Sequence, residues 1–130
     1  MRSLEQGRAV LVIQEAVHGN GVKPEAGRDV TLPNGVAMHV DVMVGGTSYG
    51  ISFLTPQIVE RLGSSLTPRR SADEMRISRL GDVSVLLLYD DAYQYDAGET
   101  HTVTAVAAER KLGKDVADFI TRVVKAQEGR

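Results

Sequence analysis

"VAMHVDVMVGGTSYGISFL", residues 36–54, decides how the rest of this chain is arranged. Two runs of alternating apolar residues flank Gly45-Gly46, and a glycine pair supplies the positive φ angles that a tight hairpin turn demands. A two-residue turn there pairs Val44 with Thr47, Val42 with Tyr49, Val40 with Ile51 and Met38 with Phe53. Nearly every pair on that face is apolar on both strands, whereas a one-residue slip sets valine against serine and glycine. Pattern and turn chemistry agree on a hairpin with one buried face.

The opposite face of that hairpin places His39 across from Ser52, with Asp41 across from Gly50. Serine, histidine and aspartate are the residue types of a hydrolytic triad. A triad needs the serine on one imidazole nitrogen, the aspartate on the other, and donors for an oxyanion. A flat strand pair offers no such convergence, and Ser52 sits on no strained elbow. The polar outer face of a half-buried hairpin accounts for all three.

Upstream, Ser3 and Gln6 of "SLEQ" form a capping-box pattern, and Val10, Ile13 and Val17 share one helical face. The reading is a helix over 3–17 ended by Gly19, although the β-branched "AVLVIQ" also suits a strand. "GNGVKPEAGRD" (19–29) reads as a loop, "DVTL" (29–32) as a short strand and "PNG" (33–35) as a turn. Downstream, Thr55, Pro56 and Gly63 stand where a helix wants its N-cap, first residue and terminator. A second capping box, Ser71 and Glu74 of "SADE", predicts a short helix running toward Gly81.

"DVSVLLLYDDAY" (82–93) is a strand whose continuous apolar run calls for burial on both faces. "HTVTAV" (101–106) alternates as a further strand. From Ala107 onward Leu112, Val116, Phe119 and Val123 recur at helical spacing, with Gly113 as the place for a kink. The fold class is therefore α+β: a largely antiparallel sheet of about four or five strands built around the 36–54 hairpin. An N-terminal helix, short middle helices and a long C-terminal helix accompany it, in a single domain over 1–130.

The totals bound the chemistry. The chain has 130 residues, a formal net charge of -2 and no cysteine. Disulfides, zinc–thiolate sites, iron–sulfur clusters and thiol nucleophiles are excluded. The apolar run "AVLVI" near the start is too short for a signal-peptide core or a membrane span, which predicts a cytoplasmic protein with no membrane partner. The near-neutral balance supplies no global field for nucleic acid. No cofactor fingerprint is present: "GNG", "PNG" and "GG" lack the strand–glycine–helix context of a phosphate cradle.

Charge is unevenly placed. Arg69, Arg70, Arg76 and Arg79 lie close together, residues 82–99 are acidic without a basic residue, and the segment from Arg110 is basic again. Within "LYDDAYQYDAGETH" (88–101) the candidate metal ligands are Asp90, Asp91, Asp96, Glu99 and His101. If the strand continues to Asp96, Asp90 and Asp91 point to opposite faces and Asp90 stands about 20 Å from Asp96. An ion held at about 2.4 Å cannot bridge that gap unless the chain turns near Ala97-Gly98. The calcium-loop template also fails, since Tyr95 stands at its glycine position and His101 at its final glutamate. A polar strand end is the simpler account.

Arg69 and Arg70 in "TPRRS", read as a loop at a helix N-terminus, are the candidate anion-binding residues. Tyr93 and Tyr95, sharing a strand face, join Phe119 and Val123 of the C-terminal helix as candidate interface residues. That helix carries more apolar residues than a one-sided surface helix needs, which points to a homodimer.

In element order alone, residues from about 20 to 90 resemble the restriction-endonuclease-like nuclease core. That resemblance puts Asp41 in the first metal-binding place, but Ser52 and Leu54 stand where a carboxylate and a lysine belong. The order also resembles type III secretion chaperones, which are small, acidic, dimeric proteins of α-β-β-β-α-β-β-α arrangement; no sequence motif accompanies the likeness. The expected function is a non-enzymatic binding module, a homodimer engaging a protein partner. The alternatives are a divalent-metal hydrolase or degenerate nuclease using 90–101, and an anion- or nucleic-acid-binding module centred on Arg69 and Arg70.

Overall fold

A computed structural model of the chain describes residues 2–32, 35–62, 69–70, 75–95 and 101–128. Strand β1 (Arg2–Ser3) leads into helix α1 (Gln6–Gly19). Three strands follow: β2 (Pro24–Thr31), β3 (Ala37–Val44) and β4 (Tyr49–Leu54). After helix α2 (Pro56–Leu62) come β5 (Arg69–Arg70), β6 (Arg76–Leu80) and β7 (Val83–Tyr89). A 3-10 turn (Asp90–Tyr93) and β8 (Gln94–Tyr95) precede α3 (His101–Phe119). The last helix runs on through a π turn (Ile120–Val124) into α4 (Lys125–Glu128).

The main sheet has the order β2-β3-β4-β7-β6-β5, antiparallel except where β4 and β7 run parallel. Five of these strands are five residues or longer, which is the mixed α+β architecture expected. β7 is buried on both faces. Leu86 and Leu88 join Val42, Val44, Ile51 and Phe53 against α1 and α3, while Val83, Val85 and Leu87 join Val40, Met38 and Leu62 on the other side. Arg28 of β2 is paired with Asp82 of the β6–β7 turn at 3.1 Å.

Several sequence expectations are corrected. Residues 24–29 are strand rather than loop, because β2 is an edge strand. Proline is tolerated as the first residue of such a strand, and Gly27 allows β3 to approach closely. The hairpin turn closes where expected, with Thr47 N–H donating to the Val44 carbonyl at 3.1 Å. Thr47 Oγ1 also bonds that carbonyl and accepts from Tyr49 N–H, drawing residues 47–49 into a longer turn. The register is consequently Val42 with Ile51 and Met43 with Gly50, two residues away from the pairing that a two-residue turn gives.

Residues 76–80 form β6, not a helix. Gly81, at φ 65, and Asp82 make a tight turn that pairs Leu80 with Val83, and the apolar β7 gains a neighbour on that side. "HTVTAV" opens α3 rather than a strand; once Ala108, Leu112 and Val116 bury one face, each added helical residue contributes another main-chain bond. The strand at 82–93 stops at Tyr89. Ser3 lies in β1, and α1 starts from Glu5 with no side-chain cap. α3 runs through Gly113 as regular helix; a Cβ there would stand 3.9 Å from Val12 Cγ1, so α1 lies close alongside. The irregularity comes later: the π turn shifts the phase so that Ile120 and Val124 are fully buried and Val123 only partly.

β2 and β3 exchange faces in mid-strand. Val40 lies on the α2 side, yet Val42 and Val44 lie on the α1–α3 side with Met43 returned to the first. Pairing between β2 and β3 is interrupted only at Gly27 and Asp41. The Asp41 carboxylate then fills in for main chain, accepting from Phe53 N–H at 2.7 Å and from Gln6 Nε2 at 3.4 Å. Burial pushes its pKa above the ordinary carboxylate value against the opposing hydrogen bond from Phe53.

Candidate functional site

The site with the most chemistry lies where β7 gives way to the 3-10 turn. The β6–β7 ladder ends at Ile77 opposite Leu86, while β4 stays paired with β7 as far as Tyr89. The 3-10 turn carries Tyr93 back into the core, where its ring meets Phe53 with centroids 6.1 Å apart. Lys111 Nζ fastens this turn to α3 by donating to the Ala92 carbonyl at 2.8 Å, and lies 5.2 Å from the centre of the Tyr93 ring. α3 presents Asp115 and Asp118, and the π turn that continues it adds Arg122.

These elements enclose a cleft of about 380 Å³, within the size range of small-ligand sites. Met75, Leu86 and Leu88 bring apolar surface to it. Asp91, Asp115 and Asp118 supply three carboxylates, and Arg76 and Arg122 two guanidinium groups. Tyr93 Oη donates to Asp115 Oδ2 at 2.6 Å. Burial, then the bond to Asp115 and its charge, push the Tyr93 phenol far above its ordinary pKa, so it stays a donor. The Arg76 guanidinium stands 4.9 Å from the centroid of the Tyr89 ring. Burial raises the Tyr89 pKa, with Arg76 opposing.

Of the candidate metal ligands, Asp90 and Asp91 lie on the 3-10 turn, not on a continuing strand. His101 is the first residue of α3, and only its backbone is described. Asp96 and Glu99 lie outside the described residues. Among the described residues no group of three acidic or histidine side chains is gathered to hold an ion. Arg69 and Arg70, also described by backbone alone, form β5 opposite Ile77 and Arg76. Of the helix expected to lend its N-terminus to an anion, residues 76–80 are strand, and Ser71 to Glu74 lie outside the described residues.

Two of the interface candidates are buried in their own chain and two are partly buried. Tyr93 is 3% exposed and Phe119 0%, while Tyr95 and Val123 pack against the same core. Val116, Ile120 and Val124 are likewise buried, so the apolar excess of the C-terminal helix is used internally. The Ser–His–Asp set does not converge either. Buried Ser52 donates to the His39 main-chain carbonyl at 3.3 Å, and His39 Nδ1 lies 2.9 Å from Asp29. Asp41 serves Phe53 and Gln6.

Of the cleft's residues, sequence reasoning singled out Asp91 as a metal ligand and Tyr93 as an interface residue, noted Arg76 only within a group of arginines, and passed over Asp115, Asp118 and Arg122. A polar stripe at three- and four-residue spacing beside the apolar seam was the available signal. It looks like an ordinary solvated helix face until the bared end of β7 is known to lie next to it. Comparison with protein-family models, with curated proteins and with solved structures found no significant match. Among the described residues no helix is long and apolar enough to cross a membrane.

Proposed function

We propose that the protein is a non-catalytic interaction module that engages a protein partner through this cleft and works as a homodimer. The observation that carries the reading is the state of the cleft's polar groups, which are held in place over apolar surface. Tyr93 fixes one oxygen of Asp115, and Arg76 stands over Tyr89. Oriented charges beside apolar and aromatic surface suit recognition. Catalysis asks instead for a nucleophile within reach of a base, and the hydroxyl that meets a carboxylate here is a phenol held in its protonated form. The element order helix, three strands, helix, two strands, helix also agrees with the order of the secretion chaperones, leaving aside the two-residue strands.

Self-association in this reading uses the outer side of the helical layer, where Leu11 of α1 is 49% exposed and Val106 of α3 is 41% exposed. Light scattering over a concentration series is expected to give a dimer mass that Leu11→Glu reduces to a monomer. A monomer mass at every concentration removes the dimer. For the cleft, short peptides are selected from a random library on the full chain and counter-screened on Asp91→Asn/Asp118→Asn. The reading requires enriched sequences that lose binding to the double variant, and peptides that hold both proteins equally overturn it.

A further inference from the structure

We infer that the cleft is built for a lysine- or arginine-bearing peptide segment, whose aliphatic stem lies along Met75, Leu86 and Leu88 while its cationic head meets Asp115 and Asp118. The inference rests on the proposed partner-binding role and goes further by naming the chemistry of what is bound.

Three features support it. The cleft's formal charges, three carboxylates against two guanidinium groups, leave it net negative in a chain of -2 overall. Its charges are also unequally placed to serve an incoming ligand. Arg76 is already engaged with the Tyr89 ring on the β6 side, and Arg122 is likewise engaged, whereas Asp115 is oriented by the Tyr93 hydroxyl on its Oδ2. An oriented carboxylate accepts a cation without first losing side-chain freedom. Finally, apolar surface continuing into carboxylates matches a side chain that carries its charge at the end of a methylene stem. An acidic side chain entering the same space would have to approach Asp91, Asp115 and Asp118 together.

The test uses the full chain, isotope-labelled, and three capped peptides of the pattern Gly-Leu-X-Leu-Gly with X as lysine, glutamate or norleucine. The lysine peptide is expected to shift the amides of residues 86–93 and 115–122, and to weaken as salt is added. Its affinity should exceed that of the glutamate peptide by about ten-fold. Asp118→Asn should cost the lysine peptide several-fold in affinity. Asp118→Lys should reverse the preference in favour of glutamate, an outcome that loss of folding cannot imitate.

Equal affinity for lysine and glutamate peptides overturns the inference, as do shifts confined to another surface or the absence of shifts with all three. Free n-butylammonium binding as tightly as the lysine peptide overturns the peptide assignment. If library peptides occupy the cleft but prove acidic or neutral, this inference falls while the partner-binding role stands.

Discussion

Asp41 and Asp115 are both half-buried carboxylates that accept a hydrogen bond from a group fixed by the core, yet their surroundings differ in kind. Asp41 has both oxygens taken, one by Phe53 N–H and the other by Gln6, and it stands where β2 and β3 change faces. It repairs the main chain at a break in the ladder. Asp115 has one oxygen taken by Tyr93 and borders open space. A buried charge that is fully used belongs to the fold, whereas one that is oriented but only partly used is available to a ligand.

That contrast predicts separable effects. The largest is expected at Gly27→Ala, because a Cβ there would stand 2.7 Å from the Asp41 carbonyl and 2.9 Å from His39 Nε2. Main chain cannot give way cheaply, so urea unfolding should show a loss of about 2–4 kcal/mol. A loss below about 0.5 kcal/mol would mean the strands do not approach so closely.

Asp41→Ala should cost about 1–2 kcal/mol by leaving Phe53 N–H without an acceptor, while Asp41→Asn, which keeps an acceptor oxygen, should stay within about 0.5 kcal/mol of wild type. The pH dependence sharpens this. A carboxyl whose folded pKa is raised is penalised once ionised, so the folded form binds more protons than the unfolded form in that range. The stability of wild type minus that of Asp41→Asn is therefore expected to be greatest at low pH. It should fall as pH rises from the ordinary aspartate range through the raised folded value. A difference that rises with pH would contradict the burial argument.

Smaller still, Tyr93→Phe keeps the ring against Phe53 and removes the donor to Asp115, at a cost of about 1 kcal/mol. It should also weaken the lysine peptide, since Asp115 is then no longer oriented. Unchanged affinity would show that the phenol serves stability alone.

How much of this was legible in the sequence depended on whether a signal was local. Thr55 and Pro56 start α2 as their chemistry dictates, with Ile58 N–H reaching Thr55 Oγ1 at 3.4 Å. The apolar run of β7 is buried on both faces, and the seam through Leu112 and Val116 is the buried stripe of a long helix. Register was less legible. The Gly45-Gly46 pair marks the turn, but the Thr47 hydroxyl lengthens it, and a two-residue change in pairing preserves the apolar alternation that was the only guide. The face exchange at Gly27 and Asp41 has no periodic signature, because each half of β3 alternates correctly by itself. "SADE" carried a helix-start signal while Gly81-Asp82, a short hairpin signal, lay unread between "RISRL" and "VSVLL". The cleft is the least local feature, assembled from β6, β7, the 3-10 turn and α3, so its residues share no motif.

The central claim is that Asp91 and Asp118 of the cleft serve binding and not folding. Asp91→Asn/Asp118→Asn tests it most directly when stability and lysine-peptide affinity are measured on the same preparation. The account predicts unfolding free energy within about 0.5 kcal/mol of wild type together with loss of peptide binding. A destabilised protein that still binds the peptide as wild type does would contradict it.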